Sequence, residues 1–99
     1  MTRSLILLPA AKTDLSDIWK YTAERWSLQQ ARIYAAGMTD LLLLLCDQPE
    51  IAPQFRKLTP PVRACRYRSH MVIFTADDMF HKVIRVVHAK SDWDDLMSD

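Results

Sequence analysis

The sequence predicts an α+β domain: one strand, an antiparallel helical hairpin, then a three- to four-stranded antiparallel sheet and a short C-terminal helix. Three observations carry this. Apolar residues recur at helical spacing from Pro9 to Leu45, broken only around Ser27. After Pro49 the pattern gives way to short runs rich in Val, Ile, Phe and Thr, the composition of strands. The chain has 99 residues, 49% of them apolar, which suits one domain with one core.

The elements follow in order. Residues 3–8, apolar from Leu5 onward, read as a strand buried on both faces or packed under helices. Pro9 suits the first turn of a helix, where its missing N–H costs nothing. Ala11, Leu15, Ile18, Trp19, Thr22 and Trp26 then form one stripe, with Asp14, Asp17, Lys20 and Glu24 mostly opposite. Helix one therefore spans about Pro9 to Arg25, and both tryptophans on its stripe read as packing residues. Ser27-Leu28-Gln29-Gln30 has the capping-box pattern, so helix two starts almost at once. Its core face is Leu28, Ala31, Tyr34, Ala35, Met38, Leu41, Leu42 and Leu45. Gly37 inside it costs about 1 kcal/mol relative to alanine, which predicts a close approach of helix one. Pro49 ends the helix, and the short connection forces a hairpin. A weak extended segment covers Phe55 to Leu58 before the Pro60-Pro61 break. Strands are predicted at Val62–Ser69, His70–Ala76 and Phe80–His88, with Asp77-Asp78-Met79 as a hairpin turn. Asp92–Met97 reads as a last helical turn, capped by Ser91 or Asp92.

Charge and cysteine usage narrow the partners. A net charge of +1 gives no strong global field for a polyanion. Locally the balance is uneven. Residues 51–76 hold Arg56, Lys57, Arg63, Arg66 and Arg68 and no acid, while residues 91–99 hold Asp92, Asp94, Asp95 and Asp99 and no base. This is either a patch for an acidic partner or a solvated surface. Cys46 and Cys65 lack CxxC spacing and read as buried free thiols in a reducing cytosol. The run ending at Leu8 is shorter than a signal-peptide core, and Leu41–Leu45 is too short to span a bilayer. A soluble cytoplasmic protein with no membrane partner is expected.

The chemistry on offer is limited. His70, His81 and His88 lack metal-ligand spacing, so no metal is expected. One glycine rules out a glycine-rich phosphate loop, and no cofactor is expected. Cys65 with His88 as nucleophile and base is set aside for a structural cysteine. That leaves the arginines. On an uninterrupted strand Arg66 and Arg68 share a face and Arg63 points away. Arg85 and His88, three apart, take opposite faces unless a bulge intervenes. Two roles stay open. These cations pair with an acidic segment of a partner, or they join a histidine in metal-free cleavage of RNA. Trp93, set among aspartates, reads equally as core or as an interface anchor.

Several segments taken together resemble one family. Ala11, Asp14-Leu15, Ile18-Trp19, Tyr21 and Trp26 are followed by Gln30-Ala31, Tyr34 and Pro49. Then come His70-Met71-Val72-Ile73-Phe74 and a closing strand in which Val83-Ile84-Arg85-Val86-Val87-His88 leads to Asp92. This ordered set resembles the ParE branch of the ParE/RelE toxins and covers nearly the whole chain. The resemblance implies the toxin of a type II toxin–antitoxin pair, a non-catalytic inhibitor of DNA gyrase silenced by a ParD-like antitoxin. It implies an antitoxin surface on the hairpin and the basic sheet, for which Trp19, Arg56, Arg63, Arg66, Arg68 and Arg85 are the candidates. It places target inhibition in the C-terminal segment, with His88, Asp92, Trp93 and Leu96. No sequence-specific DNA reading by this chain is implied; that belongs to the antitoxin. RelE members share the fold and cut mRNA on the ribosome, and Thr75 stands where their chemistry uses a tyrosine. A toxin that retains only antitoxin binding is the third alternative.

Overall fold

The computed structural model describes residues 3–56 and 60–93. Strand β1 (Ser4–Leu7) leads into helices α1 (Pro9–Arg25) and α2 (Leu28–Asp47). A single 3₁₀ turn at Pro49–Ile51 follows, then strands β2 (Gln54–Phe55), β3 (Val62–Tyr67), β4 (His70–Ala76) and β5 (Phe80–His88). The α+β class and the helical hairpin are as predicted. The sheet has five strands in the order β1-β5-β4-β3-β2. Its β2–β5 part is antiparallel, whereas β1 pairs in parallel with β5, Ser4 opposite Phe80 and Leu7 opposite Val83. The apolar N-terminal run is thus a half-exposed edge strand and not one buried on both faces. Joining the sheet gives its backbone polar groups partners, which burial under helices alone would not.

Local chemistry sets the boundaries. The Ser27 hydroxyl accepts the Gln30 N–H at 3.0 Å and starts α2. The Asp77 carboxylate accepts the N–H groups of Met79 and Phe80 at 2.8 and 2.7 Å, closing the β4–β5 turn. Those two donors, Phe80 first, hold its pKa below the ordinary aspartate value. Strand β3 ends at Tyr67, two residues before the predicted limit, because Arg68 turns with φ +52°.

Apolar side chains cover the sheet on both faces. Between helices and sheet lie Ala11, Met38, Leu42, Leu45, Val72, Phe74, Val83 and Val86. On the far face Val62, Ala64, Ile73 and Val87 are joined by Phe55, Ile84 and Trp93. Trp93 meets Phe55 edge-on at 4.9 Å, so it serves as packing for this second cluster. Two helix predictions need correction. Trp26 is 70% exposed, since α1 has ended and the chain reverses at Ser27, leaving the indole outside the core, its ring centroid 5.7 Å from the Arg25 guanidinium. Trp19 is 36% exposed, at the margin of the core and not within it. Gly37 does permit a close approach, but of β3 and not of α1. A Cβ there would overlap the Tyr67 hydroxyl and lie 3.0 Å from Cζ of its ring.

Candidate functional site

Two concavities flank α1. The first is an apolar groove of about 270 Å³ between α1, α2 and β1, lined by Leu15, Ile18, Trp19, Tyr34, Met38 and Leu5 among others. Ala31 and Ala35 also line it, and their single methyl groups leave the space that longer side chains would fill. The second is a shallower cleft of about 330 Å³ along the open edge of β5, lined by Asp14, Asp17, His70, Arg85, His88 and Ser91 among others.

A bulge precedes the cleft-lining part of β5. The register between β4 and β5 shifts after Ile73, which faces Arg85, while Phe74 faces Val83; Ile84 is the extra residue. The bulge lies before Arg85 and not between Arg85 and His88, so the two keep opposite faces of β5 and line the cleft from either side of its open edge. Asp14 organises it from α1. Its carboxylate accepts Arg85 Nε at 2.7 Å and Nη2 at 3.0 Å, a two-point ion pair. The same carboxylate accepts the Val86 N–H at 2.9 Å. Strand β1 pairs with β5 only as far as Val83, so this N–H would otherwise face an open edge. The carboxylate raises the Arg85 pKa further, chiefly through the hydrogen bond. Helical periodicity had set Asp14 on the polar side of α1; its tertiary partner half-buries it instead.

His70 and His88, which line the cleft, belong to a cluster of rings that continues through Tyr34 and Tyr67. The Tyr34 hydroxyl hydrogen-bonds His70 Nδ1, and the rings cross edge-on at 5.6 Å. Tyr34 and Tyr67 each donate a hydroxyl to the other's carbonyl, at 3.3 and 3.0 Å. His70 lies directly opposite His88 across β4 and β5, with ring centroids 5.8 Å apart. Burial first and the neighbouring His88 second push the His70 pKa down. Burial raises the Tyr34 pKa. His88 is exposed, and its Nδ1 accepts the Lys90 N–H at 3.1 Å.

The remaining candidates separate. Arg63 is half-buried and donates to the Ala52 carbonyl at 2.6 Å, pinning the turn before β2. Arg56 is exposed beside Gln54. Arg66 and Arg68 do not share an uninterrupted strand; Arg66 donates to the Arg68 carbonyl at 2.7 Å, bracing the β3–β4 turn. Asp92 is exposed, and Leu96, with the rest of the predicted terminal helix after Trp93, lies outside the described residues. Of the cations that sequence reading offered for catalysis, Arg85 in the cleft is ion-paired and Arg66 is turned to the hairpin backbone. The parts missed in sequence are Asp14, Tyr34 and Tyr67. Their partners lie from 33 to 72 residues away, beyond any local spacing rule. Among the described residues no cluster of three or more His, Cys, Asp or Glu is placed to hold a metal, and no helix is long and apolar enough to cross a membrane.

The model of the ParE toxin of the type II toxin–antitoxin system parDE matches residues 5–93. This chain belongs to the ParE toxin family. Toxin ParE1 of Caulobacter vibrioides is 32% identical over 78 residues, covering 79% of this chain and 80% of that protein. Toxin ParE1 of Mycobacterium tuberculosis is 27% identical over 95 residues, covering 95% and 97%. Among solved structures, the chromosomal ParDE system from P. aeruginosa superposes with a TM-score of 0.74 over 90% of this chain and 98% of that one. Identity there is 15%, so the likeness is one of fold. The family match spans β1 through the end of β5, and so includes the ParE groove and the β5 cleft alike.

Proposed function

We propose that this ParE-family toxin arrests growth by binding DNA gyrase, and that a ParD-like antitoxin silences it by occupying the apolar groove. The observation that carries the reading is the family match over residues 5–93. The geometry supports a binder. The groove between α1 and α2 has the apolar lining that seats one face of an amphipathic helix, with Trp19 at its edge as the anchor. Arg56, exposed beyond β2, suits an acidic stretch of the same antitoxin. Arg63 and Arg85 contribute indirectly, by holding the β2 turn and the β5 edge in shape. Gyrase contact falls to the end of β5 and beyond: His88, Asp92, the Trp93 region and Leu96. Non-catalytic action is supported by the cleft itself, where the carboxylate of Asp14 neutralises Arg85 and leaves it unavailable to a scissile phosphate.

The test is gyrase supercoiling of relaxed plasmid with toxin freed from its antitoxin. Loss of supercoiling with linear product is expected. Normal supercoiling by a toxin that still stops growth would overturn the reading and direct attention to mRNA cleavage on the ribosome.

A further inference from the structure

The end of the sheet at the β3–β4 turn gathers positive charge. Arg66 and Arg68 are exposed there, and among the described residues neither meets a carboxylate. The Ala89 N–H donates to the Ser69 carbonyl at 2.8 Å, which ties the end of β5 to this turn and brings exposed Lys90 alongside. His70 and His88, paired across the strands, lie next to it. Exposed Asp92 follows two residues after Lys90, and the exposed acid nearest in sequence to Arg68 is Asp77. None of Arg66, Arg68 or Lys90 lines the apolar groove or the β5 cleft.

The backbone adds an independent observation. Arg68 has φ +52°, and it is the only residue with positive φ among those described. A left-handed turn position favours glycine or asparagine; a long side chain there is strained. A strained residue at an exposed turn points to a use for its side chain. The side chain of Arg68 is exposed, with its guanidinium over the face of the Tyr67 ring, 5.8 Å from the centroid.

We infer that Arg66, Arg68 and Lys90 form a phosphate-gripping tip that contacts the backbone of duplex DNA, the substrate of the machine this toxin binds. The inference rests on the gyrase reading for its choice of polyanion. Guanidinium groups match phosphate oxygens in a fork geometry, and three cations at one end of a nearly neutral protein make a local contact without general DNA affinity. The tip reads no sequence; it holds the toxin against DNA already engaged by the enzyme.

The experiment is fluorescence anisotropy of a labelled duplex with antitoxin-free toxin in low salt. Wild type is compared with the triple variant Arg66→Ala/Arg68→Ala/Lys90→Ala and with Arg68→Gly. Gyrase binding without DNA and antitoxin binding are measured in parallel. Binding is expected to weaken roughly tenfold or more in the triple variant, with the salt dependence reduced by about one per cation removed. Arg68→Gly is expected to hold or raise the melting temperature while weakening duplex binding, which a purely structural arginine would not do. Equal duplex binding by wild type and triple variant overturns the inference and leaves the gyrase reading untouched. So does a variant that loses antitoxin or DNA-free gyrase binding alone, since the tip is then a protein contact. Conversely, a toxin without effect on supercoiling whose duplex binding still depends on the tip retains the tip and loses the gyrase reading.

Discussion

His81 is fully buried, and among the described residues neither ring nitrogen has a hydrogen-bond partner. It lies opposite Leu5 of β1 and Ala76 of β4, tilted against Phe74 at 4.5 Å. Burial first, and the charge of Arg3 second, lower its pKa from 6.5 to about 4. The folded protein therefore keeps the ring neutral, while the unfolded chain takes up a proton once pH falls below the ordinary histidine value. Stability is fully present above that value and is lost as pH falls toward the folded pKa. For these two pKa values the loss is about 2 kcal/mol by pH ~5 and about 3 kcal/mol by pH ~4. That is a large part of the 5–15 kcal/mol or so that holds a small domain together. The perturbation is His81→Leu, similar in bulk and without a titrating group. Urea unfolding of both proteins from pH ~7 to pH ~5 gives the free-energy difference at each pH, and wild type should fall relative to the variant by about 2 kcal/mol. His70, also shifted downward, and Asp77 titrate in both proteins and cancel in the difference. Parallel pH curves for the two proteins would refute the reasoning, because the buried ring would then be finding a partner when charged.

Three further outcomes follow from the geometry. Asp14→Ala leaves the Val86 N–H and Arg85 without their acceptor and should cost about 1–3 kcal/mol in chemical denaturation, with faster hydrogen exchange along the end of β5. Gly37→Ala forces Tyr67 aside and breaks its bond to the Tyr34 carbonyl; a loss of about 1–3 kcal/mol is expected by thermal unfolding, against a gain were Gly37 merely an exposed helical glycine. Trp19→Ala should weaken capture by the antitoxin at least tenfold in a calorimetric titration while shifting stability little, and an unchanged affinity would move the antitoxin off the groove.

Much of the architecture was legible because it is written in local rules. Pro9, the Ser27 cap and Pro49 bracket both helices within a residue or two, since capping and proline geometry act within one turn. The three C-terminal strands and the Asp77 turn followed from alternation and turn chemistry. The site was less legible. Arg85 and His88 take opposite faces as alternation predicts, yet they line one cleft because the edge of β5 is left open beyond Val83, which no spacing reveals. Trp26 fits the helical stripe by number, yet burial requires a neighbour, and the chain turns away before supplying one.

By itself, then, the sequence determined the α+β class, the hairpin, the antiparallel strands and the family resemblance. Each depends on patterns that close within a few residues or on the order of such patterns along the chain. Only the tertiary structure decided that β1 joins the sheet in parallel beside β5, that Gly37 meets Tyr67, and that Asp14 spends its carboxylate on Arg85 and Val86. Those contacts join residues from 30 to 76 positions apart. Side-chain geometry and unpaired backbone groups select them after the chain has folded back on itself, so local periodicity carries no trace of them.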